Sequence, residues 1–394
     1  GQPTVLRSRY VSLNLDLLFG EDGSPRELEG SPLTLNLFED ATLVAVLDRV
    51  EASYGGAFVW TGRVQDEPLS LVTLAVNDGV MAGTVLTSSG VFEFSYAGNG
   101  VHAVAEIDQS AFPPEAEPVQ VDLPDGEPVD AAPEAVADDG SIIDVMVVYT
   151  PAARLAAGGT TAMGALINSA ISQTNSTYAN SQITQRLRLV HAAEVSYSES
   201  GIDQDLVRLR NYDGYMDIVH TWRDTYGADE VALIVEYGPT YPYCGIAYLM
   251  DTLSVGFESY AFAAIERECV TGNLSFAHEL GHNMGAHHDW FVNSSTDLFS
   301  YSHGKVNTGG GWYTIMAYYS ECYYAGASCT RISYWSNPNI LYAGAPLGVP
   351  GGTSTACAEG QFNPPCDADN HRTLNESAWT VANFRQSHAG DPPN

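Results

Sequence analysis

Residues 276–289 read Phe-Ala-His-Glu-Leu-Gly-His-Asn-Met-Gly-Ala-His-His-Asp, and this run constrains the chain more than any other. His278 and His282 are four apart, so both imidazoles fall on one helical face and can share one ion. Gly285 can end that helix in a left-handed conformation, letting the chain turn sharply so that His288 brings a third nitrogen from below. Three neutral histidines leave a divalent ion its full charge and an open fourth position, which is the arrangement of a catalytic rather than a structural Zn2+ site. Glu279 lies between the first two ligands and can reach a water at that fourth position as general base. His287 is off the ligand spacing and is expected to pack around the site.

The 394 residues and 42.3 kDa exceed what one compact core usually holds, so two domains or one with an extension are expected. Against 48 acidic residues stand 16 basic ones, a net charge of -32, which excludes nucleic-acid backbones and anionic membrane surfaces as partners. No apolar run approaches the roughly 18 to 20 residues of a membrane span. All six cysteines, Cys244, Cys269, Cys322, Cys329, Cys357 and Cys366, lie in the last 151 residues. An even number confined to one region favours three disulfides, an oxidising compartment and therefore export. Gly1 opens on no charged and apolar leader, so a secretory signal, if one existed, is expected to have been removed or left out of this sequence.

Periodicity divides the chain. Val11, Leu13, Leu15 and Leu17 alternate with polar residues, as do Leu33, Leu35 and Leu37, and strand-like runs follow at 57–64, 69–76, 80–87, 91–96 and 101–107. Residues 1–114 are therefore expected to form a β-rich unit. From Glu115 to Gly140 there are nine acidic residues, no basic ones, and prolines at 118, 124, 128 and 133, which predicts an extended, solvated linker. Residues 141–394 switch to alternating elements: a buried strand at 142–149, a helix carrying Met163, Leu166, Ile167, Ala170, Ile171 and Tyr178, strands at 187–195 and 231–235, and helices at 216–226 and 374–384. Asn273 is placed to cap the helix bearing the histidines. Asp367 and Asp369 beside Asn370 would suit Ca2+, although solvated acid is the simpler expectation in so acidic a chain.

The histidine run resembles the extended motif of the metzincin zinc endopeptidases, His-Glu-x-x-His-x-x-Gly-x-x-His plus a family-specific residue. Asp289 in that last position resembles the adamalysin or reprolysin group. Thr314-Ile315-Met316-Ala317-Tyr318, 28 residues after the third histidine, is similar to the family's Met-turn, with Met316 beneath the metal. The Met-x-Tyr form belongs to astacins and serralysins, where the tyrosine can reach the zinc, so subfamily features are mixed. The resemblance covers about residues 141–388. It implies an α+β fold: a metzincin catalytic domain with a twisted mixed sheet, active-site helix and Met-turn, preceded by a β-rich pro-domain.

The resemblance further implies a bacterial-type secreted zinc metalloendopeptidase acting on protein or peptide substrates. Glu279 would deprotonate the attacking water, Tyr318 would bind metal or donate a hydrogen bond in the transition state, and Asp289 would orient the base of the site through backbone hydrogen bonds. An unpaired edge strand at Gly245, Ile246 and Ala247 would take the extended substrate, whose side chain after the scissile bond enters a pocket walled by the Met-turn region and the following loop. Proximity and the resemblance together favour pairing Cys244 with Cys269, Cys322 with Cys329, and Cys357 with Cys366. The pro-domain would act as intramolecular inhibitor. Residues 1–140 lack cysteine, so a carboxylate or His102 must block the metal; Asp108 is the leading candidate, and Asp122 and Asp125 are alternatives. A rival from another class is a non-catalytic secreted zinc or matrix-binding module on the same fold.

Overall fold

A computed structural model describes residues 2–121, 123, 137–238, 240–352 and 357–388. The expected Asp122 and Asp125, and most of the acidic linker, lie outside the described residues. Strands β1 to β8 (Val5–Val11, Pro32–Phe38, Ala41–Ala52, Phe58–Val64, Glu67–Asn77, Val80–Leu86, Val91–Gly98 and Val101–Ile107) form one antiparallel sheet in the order β1-β8-β7-β6-β5-β4-β3-β2. Alternating apolar residues bury one face around Trp60, Leu37, Leu47 and Phe94. Two expectations shift here. The alternation from Val11 to Leu17 ends a strand at Val11 and continues into a single 3-10 turn at Leu15–Leu17, and β3, the longest strand, has no counterpart in the periodicity.

The second sheet runs β11-β10-β12-β14-β13-β9. Its strands are β9 (Val119–Gln120), β10 (Ile142–Tyr149), β11 (Arg186–Glu194), β12 (Glu230–Val235), β13 (Gly245–Leu249) and β14 (Phe262–Glu266). β10, β11, β12 and β14 are mutually parallel, and β13 alone is antiparallel to its neighbour β14. Continuous apolar runs such as Val-Met-Val-Val in β10 suit strands covered on both faces. The covering helices are α1 (Pro151–Ala157), α2 (Thr160–Asn180), α3 (Ile202–Arg210), α4 (Ile218–Tyr226), α5 (Ser275–Asn283), α6 (Ser320–Ala325) and α7 (Asn370–Val381). The chain thus mixes helix and strand, with helices on a mostly parallel second sheet. No helix among the described residues is long and apolar enough to cross a membrane.

Helix α2 lies between the two sheets. Met163, Ile167, Ala170 and Tyr178 join the main core, while Asn168 meets Ser53 Oγ at 2.6 Å and the Tyr54 carbonyl at 3.2 Å, and Gln173 donates to Thr84 Oγ1 at 2.8 Å. On the far side α2 holds Trp335, whose indole donates to Thr177 Oγ1 at 2.9 Å. A Cβ on Gly281 of α5 would fall 2.7 Å from the Trp335 ring and 3.0 Å from Met316 Sδ, so this glycine lets three segments close on one point. Trp335 is fully buried. Trp335→Ala should cost about 3–5 kcal/mol, read from the urea midpoint of unfolding, whereas a loss below about 1 kcal/mol would deny Trp335 its place in the core.

Candidate metal centre and cleft

α5 carries His278, Glu279 and His282, all fully buried, with the two histidines on one face. Its N-cap is Leu274, not Asn273, whose amide turns instead to Ser275 Oγ at 3.1 Å and to Glu115 at 3.2 Å. The helix ends at Met284, and Gly285 follows at φ 88°, where a Cβ would lie 2.0 Å from Leu298 and 3.0 Å from the Met250 carbonyl. Only glycine tolerates both the conformation and the approach. The chain then turns back, and His288 Nε2 comes to 3.1 Å from His278 Nε2 and 3.0 Å from His282 Nε2.

The other edges of two rings fix their tautomers. His278 Nδ1 lies 2.9 Å from the Ile315 carbonyl and His282 Nδ1 lies 2.7 Å from the Ala286 carbonyl. A carbonyl accepts only, so each Nδ1 carries the proton and each Nε2 presents a bare lone pair. Burial pushes the His278 imidazolium down to about 3, and burial with the neighbouring histidines pushes His282 well below its ordinary value. Neutral lone pairs converging at about 3 Å repel unless a cation lies among them, and this donor set fits a divalent ion such as zinc. Among the described residues, these three histidines form the one group of His, Cys, Asp or Glu close enough to hold a metal.

Met316 sits in the turn beneath this centre, where the Ala317 amide donates to the Thr314 carbonyl at 2.9 Å. Asp289 accepts from the amides of Tyr318 at 2.9 Å and Phe291 at 3.0 Å, tying the segment after His288 to that turn. The Tyr318 ring packs on His288 with centroids 4.2 Å apart. Burial and the charge of Glu115 keep its hydroxyl protonated, and it donates to the Glu115 carbonyl at 2.8 Å. Both Glu279 oxygens are buried without a protein partner, and burial, reinforced by the Glu115 charge, pushes the carboxyl well above its ordinary value. A Cβ on Gly245 would fall 2.5 Å from Glu279 Oε1, so the bare glycine of the edge strand makes room for this side chain. His287 is buried beside His303 rather than joining the metal group.

The edge strand is not free, contrary to expectation. Gly245, Ile246 and Ala247 pair with β14, and the other side of β13 is occupied by the chain's own residues 114–120. Cys244 N donates to the Pro114 carbonyl at 2.9 Å, Ala116 N donates to the Gly245 carbonyl at 2.8 Å, and Val119 and Gln120 pair with Tyr248 and Leu249 in parallel. The start of the expected solvated tether therefore lies in the cleft. Glu115 is 2% exposed. Burial raises its carboxyl, but the Arg331 guanidinium outweighs this and holds it below the usual carboxylate range. Glu117 Oε2 stands 3.7 Å from His288 Nδ1. Asp108, by contrast, closes a turn: it accepts from Ser110 N at 3.0 Å and Ser110 Oγ at 2.6 Å. A short polar side chain after a strand satisfies the local backbone, and the carboxylates that the structure brings to the histidines are Glu115 and Glu117 instead.

Three disulfides join Cys244 to Cys269, Cys322 to Cys329 and Cys357 to Cys366. Asp367 accepts from Gly352 N at 2.7 Å, and Asp369 caps α7 through Arg372 N at 3.1 Å, so both carboxylates are engaged with backbone rather than simply solvated.

A buried three-histidine centre beside a strand edge, on a mixed sheet with a following methionine turn, is the apparatus of a metallopeptidase. The chain belongs to the reprolysin-like metallopeptidases, since residues 140–345 match the family described as Metallo-peptidase family M12B Reprolysin-like. It is 35% identical over 365 residues to a peptidyl-Asp metalloendopeptidase of Stenotrophomonas maltophilia strain K279a, covering 86% of this chain and 80% of that protein. A protein of the same description from Xanthomonas campestris pv. campestris is 33% identical over 364 residues, covering 87% and 80%. Among solved structures, metalloproteinase-II from Bacteroides fragilis aligns at 13% identity over 66% of this chain and 80% of that one, with a TM-score of 0.39.

His282→Ala should reduce bound zinc from one equivalent to well below it, because two nitrogens on separate segments hold a divalent ion poorly. Atomic absorption after dialysis measures this, and a variant that keeps a full equivalent would remove His282 from the ligand set.

Proposed function

We propose that this protein is a secreted zinc-dependent endopeptidase made as a zymogen, and that it acts at aspartyl residues, the specificity carried in the descriptions of its relatives. The observation that carries the reading is the convergence of three histidine Nε2 atoms beside the unpartnered Glu279 carboxylate. His278, His282 and His288 would hold the zinc. When bound, the metal supplies Lewis acidity that polarises the scissile carbonyl and acidifies a water at its open position. Glu279 takes the proton of the attacking water and returns it to the leaving amine; its raised proton affinity suits that relay. Tyr318, released from Glu115, can donate a hydrogen bond from its hydroxyl to the developing oxyanion. Met316 and Asp289 support the ligands from below, and β13 aligns the substrate.

On this reading residues 1–114 are the pro-domain, 115–140 the tether and 141–394 the catalytic domain. The chain's own segment along β13 supports latency, since a substrate strand needs the same backbone groups. Three disulfides support an extracellular site of action. A non-catalytic zinc or matrix-binding module is the weaker account, because it has no use for a buried carboxylate kept without a partner beside the histidines.

Glu279→Gln should retain fold and zinc yet lower kcat by at least about 100-fold on casein or peptide substrates after activation. Retention of more than a tenth of the wild-type rate would remove Glu279 from the role of base. Absence of chelator-sensitive cleavage by the wild-type protein under every activation condition would favour the binding module.

A further inference from the structure

The cleft beside the histidines contains a cation whose arrangement no metal chemistry requires. Arg331 is 2% exposed, and its guanidinium is fixed from the protein side by two carbonyls: Nη1 donates to Asn273 O at 2.8 Å and Nη2 to Ala317 O at 3.0 Å. The same two nitrogens present a fork to Glu115, Nη1 to Oε1 at 2.6 Å and Nη2 to Oε2 at 3.0 Å. Ser275 Oγ adds a bond to Oε1 at 2.8 Å and Asn273 Nδ2 another at 3.2 Å. Planar two-point recognition of this kind is selective for a carboxylate. Arg223 provides the internal contrast. It is equally buried, but each of its three nitrogens donates to a backbone carbonyl, of Ala228, Glu258 and Asp229, and no side-chain acid takes part in those bonds. Arg331 instead aims both terminal nitrogens at a carboxylate as well as at a carbonyl, and its Nε is buried without a partner.

Every group that grips the carboxylate lies beyond residue 270, whereas Glu115 arrives as the first residue of the acidic tether. Ser275 is the first residue of α5, three before His278, and Ala317 adjoins Met316, so the grip is built from the two elements that build the metal centre. Glu115 enters as a substrate residue would: its carbonyl accepts from Tyr318, the amide that follows it pairs with Gly245, and its side chain fills the wall of a cleft of about 310 Å³ between Tyr318 and Arg331.

We propose that Arg331, Asn273 and Ser275 form the pocket that selects an acidic side chain of the substrate, and that Glu115 occupies this pocket as a built-in substrate mimic. The inference rests on the peptidase reading and deepens it. The chain's own carboxylate and the substrate's compete for one guanidinium, so specificity and latency share a single ion pair. Withdrawal of residues 114–120 leaves a buried, unpaired cation that an Asp or Glu side chain satisfies and an Asn side chain does not. A merely structural staple between the two units would predict no such preference.

The test uses the full chain loaded with zinc, in a Glu279→Gln background so that probe peptides stay intact, and a matched pair of decapeptides with one central Asp or Asn. Glu115→Ala should bind the Asp peptide at least about tenfold tighter than the Asn peptide, and at least about tenfold tighter than the chain that keeps Glu115. Adding Arg331→Met removes both members of the ion pair together, which avoids stranding a buried charge, and should bring the Asp-to-Asn ratio close to one. Glu115→Asp, which keeps the carboxylate, should bind the Asp peptide more weakly than Glu115→Ala does. Equal binding of the two peptides by Glu115→Ala, or an Asp preference that survives Arg331→Met, would overturn the pocket. An Asp-peptide affinity that Glu115→Ala leaves unchanged would overturn the mimicry. In parallel, Glu115→Ala with Glu279 intact is assayed for chelator-sensitive cleavage of the same peptides. Selective binding without any cleavage would uphold the pocket and refute the peptidase reading, so the two fail separately.

Discussion

Two backbone carbonyls govern the centre of this molecule. Ile315 O and Ala286 O hold the protons of His278 and His282 on their outer nitrogens, and that turns the bare Nε2 of each toward His288 Nε2, at 3.1 and 3.0 Å. Neither carbonyl belongs to the helix that carries the histidines, although the Ala286 amide is tied back to Gly281 O of that helix at 2.9 Å. Ala286 O depends on the left-handed Gly285, and Ile315 O depends on a loop held by Ile315 N to the Tyr334 carbonyl and by Asp289 to Tyr318 N. The motif at 276–289 is therefore local in sequence but cooperative in structure. It requires residues 312–335 to be folded against it, with Trp335 filling the space that Gly281 leaves and the Cys322–Cys329 disulfide closing the stretch in between.

The ion pair between Glu115 and Arg331 adds a second level of dependence. It joins residues 216 positions apart, and it draws on both walls of the cleft at once. In a chain of net charge -32 a carboxylate is the commonest charged group, so a buried cation next to the cleft finds an acid wherever the topology delivers one. Delivery is what matters. Phe112-Pro113-Pro114 keeps the chain extended as it leaves the first sheet, and the Gln109 side chain anchors its approach by donating to Gly272 O at 3.1 Å while accepting from Arg331 N at 2.9 Å.

This division explains what is legible in the residues alone. Histidine spacing, the glycine after the helix, the methionine turn and most strand periods are encoded within a few residues of one another, and short-range geometry suffices to interpret them. Helix α3 escapes a reading by periodicity because it is short and mostly polar, supported by Asp203 and Asp205 in its first turn and by Arg208 and Arg210 in its last. β14, five residues long and apolar up to its final Glu266, carries no period to betray it. Glu115 is invisible for a different reason. Its neighbours are acidic and proline-rich, a composition that favours solvation, and nothing nearby records that an arginine far along the chain is waiting. Asp108 stands where the chain leaves the last strand of the sheet, yet it satisfies a turn instead.

The interface around α2 shows how such a segment can be held and yet given up. Leu71, Leu86, Val91 and Ile107 of the first sheet join the main core, but the helix itself meets that sheet through Asn168 and Gln173, whose partners water can replace. Interfaces between domains have this mixed character, and they separate more readily than a continuous apolar core. Docking of the first sheet keeps residues 114–120 at high effective concentration beside β13, so even a short strand with two parallel pairs can remain seated. A cut in the tether beyond residue 121 leaves that segment attached to the first sheet. On the zymogen reading, then, opening the cleft requires the whole unit to leave, and the stability of the α2 interface sets how easily a severed chain becomes an open one.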